Sequence, residues 1–317
     1  MALLIRNARA VTMSGGPIPR RGRSLGELGV IERADVLVVG EHIEAVEPTG
    51  RIRAPEGAEE IDADGRVVMP AFVDCHTHAC WAGDRLDEWD RKRGGATYLE
   101  ILRSGGGIMS TVRAVREATE PALTTSLVRR LRAMLREGTT TVEVKSGYGL
   151  TSEDELKMLR AIRGAGAEWP GTIVRTALLG HAIDAGQKNF VRRTIEETLP
   201  AVREAFGDLT IDAYCEQGAW SLEDCEALFR EALSAGHHVR VHADQFNELG
   251  MVDWAVGMGP AAVLSVDHLE ATGKPALKRL ASSGGFGVAL PCAGVHTDGG
   301  SMGRRGAVEA GGARGPA

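Results

Sequence analysis

Over residues 1–65, short apolar segments (Ala2 to Ile5, Asp35 to Val39, His42 to Val46, Glu60 to Asp62) alternate with polar positions and are broken by Gly, Pro and charge, which predicts a small β-domain. From residue 66 to 317 the rhythm changes. Apolar strand candidates at Val67 to Val73, Thr139 to Val144, Thr172 to Leu179, Thr210 to Cys215, Val239 to Val241, Ala261 to Val266 and Gly285 to Leu290 are separated by helical stretches. Repeated strand-then-helix units predict an α/β fold with parallel strands joined by right-handed crossovers. The helices carry start signals. Thr151 and Ser152 precede Glu153, Asp154 and Glu155, Glu153 and Lys157 are spaced four apart, and Leu156, Leu159 and Ile162 mark one face; Ser221 opens another helix in the same way.

Seven strands call for an eighth if the sheet is to close as a (β/α)8 TIM barrel. Gly299 to Ala317, rich in Gly, Arg and Ala, hold no apolar run able to supply it, so the expected barrel is incomplete. A doubly wound sheet is the competing architecture, but no glycine fingerprint follows the first strand.

The suggestive polar residues sit where strands end: Asp74 to His78, Lys145 to Tyr148, His181, Glu216, His242 to Gln245, and His268. In a barrel these ends converge on one mouth. His76 and His78 lie one residue apart, so their side chains project together and supply half of a metal site. A bare His-x-His is more often a pair of surface histidines, yet the preceding strand and a later strand-end histidine, His242, favour ligation. Three imidazoles around Zn²⁺ or Fe²⁺, one ion per chain, would leave a position at which water drops from a pKa of about 15.7 to about 7. That chemistry is hydrolytic. His268, after Asp267, could shuttle a proton, and His181 could donate to a developing oxyanion. Taken singly, each of these two is as readily a packed or loop histidine. His237 and His238 start a strand and read as structural; Cys75 reads as a small filler with no base beside it. Tyr148 stands between Gly147 and Gly149, which could let backbone approach a ligand, and Gly105 to Gly107 precede a helix whose amides could meet a carboxylate.

A formal charge of −6 without a basic cluster argues against nucleic acid and for a small polar substrate. Five scattered cysteines without a Cys-x-x-Cys pair suit a reducing compartment, and the apolar start is too short for a signal or a membrane span, so a cytoplasmic protein is expected. Assembly into a homo-oligomer stays open.

The segments Phe72 to His78, Gly83 to Arg85, Gly95 to Tyr98, Gly105 to Ile108, Val142 to Leu150, Leu179 to His181, His242 to Gln245 and Asp267 to Glu270 closely resemble those of the imidazolonepropionase family, within the amidohydrolase superfamily. The resemblance runs from about residue 60 to about residue 300. Its most specific part is Glu143-Val144-Lys145-Ser146-Gly147-Tyr148-Gly149-Leu150. It implies hydrolytic opening of 4-imidazolone-5-propanoate to N-formimidoyl-L-glutamate in histidine degradation. It further implies His76, His78 and His242 as metal ligands, Arg85, Tyr98, Tyr148 and His181 as substrate contacts, and Gln245, His268 and His181 beside the scissile lactam. Arg85 suits a carboxylate clamp.

One departure stands out. Family members continue into an eighth strand whose Asp binds the metal, followed by helices and the returning part of the small β-domain; here Gly311 to Ala317 stand instead. An early stop or shifted reading frame, and with it an inert remnant, is the alternative from outside the enzyme class. Another cyclic-amide hydrolase or heterocycle deaminase is the alternative within it.

Overall fold

The computed structural model describes residues 1–96, 100, 105–293 and, for the backbone, 313–315. Contacts divide the chain into two units, Met1–Ala71 and Phe72–Ala317.

The first unit is a five-stranded mixed sheet. Strand β1 (Ala2–Val11) pairs antiparallel with β2 (Val30–Val39), which pairs antiparallel with β3 (His42–Pro48). On its other side β1 runs parallel to β4 (Glu59–Asp62) and β5 (Val67–Val68). Leu4, Ala8, Ala10, Ala34 and Val36 are buried in this sheet. Asp35 is also buried, and its carboxylate accepts from the Asn7 and Gly50 amides and pairs with Arg6, so the charge is compensated.

The run Val67 to Val73 is not one strand. Its first two residues complete the small sheet, whereas Phe72–Asp74 form β6 in the second unit. Pro70 lies between them and has no N–H to give a ladder.

The second unit is a parallel sheet in sequential order: β6, β7 (Thr139–Lys145), β8 (Thr172–Gly180), β9 (Thr210–Cys215), β10 (Val239–Ala243), β11 (Val263–His268) and β12 (Phe286–Val288). Apart from Val67 to Val73, the predicted strands are recovered with ends moved by a few residues, and His242 and His268 fall inside their strands. Among the described residues the sheet is extended beyond β12 by Ala313–Gly315 (β13), three residues without a carboxylate. Among the described residues nothing pairs β13 with β6. The described strands form the incomplete TIM-type sheet expected from the lack of an apolar eighth run.

Helices Glu120–Arg136, Ser152–Glu168 and Leu222–Ser234 cover the outside of the sheet with Leu123, Leu127, Leu131, Leu159, Ile162, Leu228 and Phe229. Thr151 and Ser221 cap two of them by accepting the Asp154 and Asp224 amides. Lys157 takes Asp154 and the Arg116 carbonyl as partners instead of the anticipated Glu153. Within the strands, residues alternate. Val142, Val144, Ile211, Ala213, Val239 and Val241 join this apolar layer, while Glu143, Lys145, Asp212, Arg240, His242 and Asp267 occupy the other face and are equally buried.

Candidate metal centre

The chain leaves β6 through an Asx turn in which Asp74 Oδ1 accepts the His76 amide at 3.2 Å. Thr77 is then gripped by β7. Its amide donates to Glu143 Oε2 at 3.1 Å, its hydroxyl donates to the Glu143 carbonyl at 2.7 Å, and its carbonyl accepts the Lys145 amide. With Thr77 held, His76 and His78 project on the same side. His242 arrives from β10, and the ligand nitrogens of His76, His78 and His242 all lie within 4.8 Å of one another. Ring centroids are 4.5 to 5.4 Å apart.

Each ring's far nitrogen decides what the near one offers. His76 Nδ1 lies 2.6 Å from Asp267 Oδ2 and His242 Nδ1 lies 3.1 Å from Asp212 Oδ1. A carboxylate accepts, so both rings carry Nδ1–H and present a bare Nε2. His76 Nε2 is buried without a hydrogen-bond partner. Burial holds His76, His78 and His242 below the ordinary imidazole pKa, His76 and His78 well below it. Neutral imidazoles with converging lone pairs, one of them orphaned, fit a divalent cation; the chain belongs with divalent-metal proteins on that donor set.

His181, at the end of β8, stacks on His78 with centroids 4.9 Å apart. Burial lowers its pKa to about 3. Its Nδ1 is 2.9 Å from the Gly147 carbonyl and must donate to it, so the Nε2 of the neutral ring accepts. Donation to an oxyanion, the role foreseen for His181, is not what this tautomer offers. His268 lies 5.4 Å from His242 and 5.6 Å from His76 between ring centroids, with Nδ1 3.3 Å from Glu270 Oε2. His268 and Leu269 both hold left-handed backbone, φ +80° and +69°, a strained pair that turns the imidazole at the strand end. Gln245 is half-buried just beyond Asp244, whose carboxylate accepts from Thr272 and whose carbonyl accepts the Ala271 amide, tying the loops after β10 and β11 together.

Tyr148 packs 4.9 Å from the His181 ring, and burial raises its pKa to about 12, so its phenol is a donor. Its loop is held by Glu155, which accepts the Gly147, Gly149 and Leu150 amides at 2.7 to 2.9 Å. Sequence reasoning gave Glu155 only to the helix dipole. The glycines serve the protein's own packing instead of a ligand: a Cβ on Gly149 would stand 2.5 Å from Glu155 N, and one on Gly147, φ +111°, 2.9 Å from Leu178. Arg85 pairs with Glu88, and the same Glu88 accepts the Gly107 amide at 2.9 Å, so an internal carboxylate engages both groups foreseen as carboxylate binders. Tyr98 lies outside the described residues. His237 and His238 bond to the Leu209 and Ala261 carbonyls, away from the cluster. Cys75 is half-buried with its thiol pushed up by burial, which removes it as a nucleophile.

Sequence reasoning singled out Lys145 as a strand-end residue but missed the network of charges beneath the rings to which it belongs. Lys145 is fully buried and donates to Glu143 and Asp212, both at 2.8 Å; Arg240 pairs with Glu143 at 3.2 Å and Asp267 at 2.6 Å. Burial works against every charge here, yet Asp212 stays well below and Lys145 above its ordinary value because oppositely charged partners outweigh it. The available signal was alternation: Glu143-Val144-Lys145, Arg240-Val241-His242 and Ser265-Val266-Asp267 each place two polar residues on one strand face.

Residues 67–300 match the model of the amidohydrolase family. The chain is 40% identical over 296 residues to an imidazolonepropionase of Rubrobacter xylanophilus, covering 91% of this chain and 70% of that protein. It is 43% identical over 282 residues to that of Deinococcus radiodurans, covering 88% and 68%. Among solved structures, a triazine hydrolase from Arthobacter aurescens (TM-score 0.61, 16% identity, 98% of this chain and 69% of that one) and a 5-methylcytosine deaminase from Klebsiella pneumoniae (0.65, 19%, 92% and 67%) share the fold.

Proposed function

Because the chain belongs to the amidohydrolase family and, within it, to the imidazolonepropionases, we propose that it hydrolyses 4-imidazolone-5-propanoate to N-formimidoyl-L-glutamate by opening a cyclic amide C–N bond. The observation that carries this reading is the convergence of three neutral imidazoles, from the end of β6 and from β10, with their ligand nitrogens within 4.8 Å. His76, His78 and His242 would hold one Zn²⁺ or Fe²⁺, which when bound would supply Lewis acidity toward water and an amide carbonyl.

The remaining work falls to the chain's own groups. Arg85 binds the propionate as a planar two-pronged donor once that carboxylate displaces Glu88. Tyr148 donates from its phenol to the heterocycle, and His181 accepts a ring N–H at Nε2, so the pair reads opposite hydrogen-bonding edges. Tyr98 adds a further substrate contact. His268 moves the proton, taking it from attacking water and returning it to the departing ring nitrogen, and Gln245 orients the lactam. The strained backbone at His268 fixes that imidazole's direction ahead of substrate binding. No helix among the described residues is long and apolar enough to cross a membrane.

The test is direct. Purified full-length chain, stripped with a chelator and reloaded with Zn²⁺ or with Fe²⁺ under argon, should consume 4-imidazolone-5-propanoate and form N-formimidoyl-L-glutamate. Reloaded protein that binds metal yet turns over hydantoins or purines and not this substrate would overturn the assignment.

A further inference from the structure

The buried charges join into one uninterrupted chain of contacts: His76, Asp267, Arg240, Glu143, Lys145, Asp212, His242. It begins and ends on two of the three clustered imidazoles and draws on β7, β9, β10 and β11. Glu143 is its midpoint. One carboxylate oxygen takes both cations and the other takes the Thr77 amide between His76 and His78. Ser265 adds a donor to Asp267 at 2.6 Å. Three carboxylates against two cations leave one net negative charge below the rings, which favours a cation above them.

We propose that Lys145 and Arg240, sharing Glu143, are positioning residues that clamp Asp212 and Asp267 so that His242 and His76 are both set as Nδ1–H tautomers, Nε2 bare, before any ion arrives. Each cation touches a carboxylate on both sides, so neither Asp212 nor Asp267 can rotate away from its imidazole without breaking one of the two ion pairs of a buried cation. His78 is different. No carboxylate holds its Nδ1, which is buried and unpartnered, and its Nε2 stands 3.0 Å from His242 Nε2. Two ligands are therefore preset by the network, and no carboxylate sets the third.

The inference rests on the metal reading above, but its test does not use catalysis. In the ion-free full-length chain labelled with ¹⁵N-histidine, long-range ¹H–¹⁵N correlations should show protonated Nδ1 and bare Nε2 for His76 and His242. Arg240→Lys keeps the charge but loses the reach to two carboxylates; it should move His76 toward the Nε2–H form, leave His242 nearer its wild-type state, and weaken Co²⁺ binding about ten- to a hundredfold. Ser265→Ala, a smaller change for use if Arg240→Lys does not fold, should shift His76 in the same direction and leave His242 unmoved. Finding Nε2–H on His76 or His242 in the wild type overturns the proposal. So does an Arg240→Lys or Ser265→Ala protein that melts lower while tautomers and Co²⁺ affinity stay at wild-type values. Absence of hydrolysis with the expected tautomers would instead count against the proposed reaction alone.

Discussion

Replacing His242 with Ala removes one of three converging nitrogens and should separate ion binding from folding. Complete zinc sites are worth about 10–16 kcal/mol, so one imidazole of a small ligand set accounts for about 3–5 kcal/mol. At 1.4 kcal/mol per decade, affinity should fall on the order of 10²- to 10³-fold. The fold should suffer much less. Asp212 loses the His242 N–H but keeps Lys145 at 2.8 Å, so no buried carboxylate is left unpaired, and the cost is about 1–3 kcal/mol for a lost hydrogen bond and a small void. Equilibrium dialysis against buffered Zn²⁺ with elemental analysis reads the first effect, and urea unfolding of the ion-free protein reads the second. Stoichiometric zinc held at wild-type affinity in His242→Ala would refute the ligand set. A loss of stability as large as the loss of affinity would mean that the imidazole is chiefly a core residue.

Three further outcomes are expected. The buried rings of His76, His78, His181 and His242 all titrate below their unfolded value of about 6.5, so below that pH the unfolded chain gains protons that the folded one refuses; urea stability of the ion-free protein should be full above pH 6.5 and drop toward pH 5 by up to about 1.4 kcal/mol per unit per ring, and a flat profile would contradict the burial argument. Arg85→Ala should raise KM more than it lowers kcat, since the carboxylate it binds is remote from the reacting carbonyl; steady-state kinetics with unchanged KM would remove that role. Gly149→Ala drives a Cβ to 2.5 Å from Glu155 N and should cost about 1–3 kcal/mol of stability by thermal melting, with Tyr148 displaced; a neutral substitution would show that the loop can shift freely.

Much of this molecule is written in local pattern. Alternation of apolar strands with capped helices specified the parallel sheet, and its polar strand ends named the rim from which His76, His78, His181, His242 and His268 come together, because side-chain direction in a strand follows from sequence parity alone. What parity cannot supply is the partner. Glu143, Asp212 and Arg240 look like ordinary charges in half-exposed strands until the sheet curls and brings β7, β9, β10 and β11 around one interior, where desolvation makes each charge, Lys145 included, depend on the others. The same closure decided that Asp267 serves His76 and Asp212 serves His242, that His181 accepts where donation was foreseen, and that Val67 to Val73 divides at Pro70 between two sheets. Chain order sets which face a residue occupies; only the folded sheet sets how far it stands from a residue a hundred positions away, and proton placement depends on that distance.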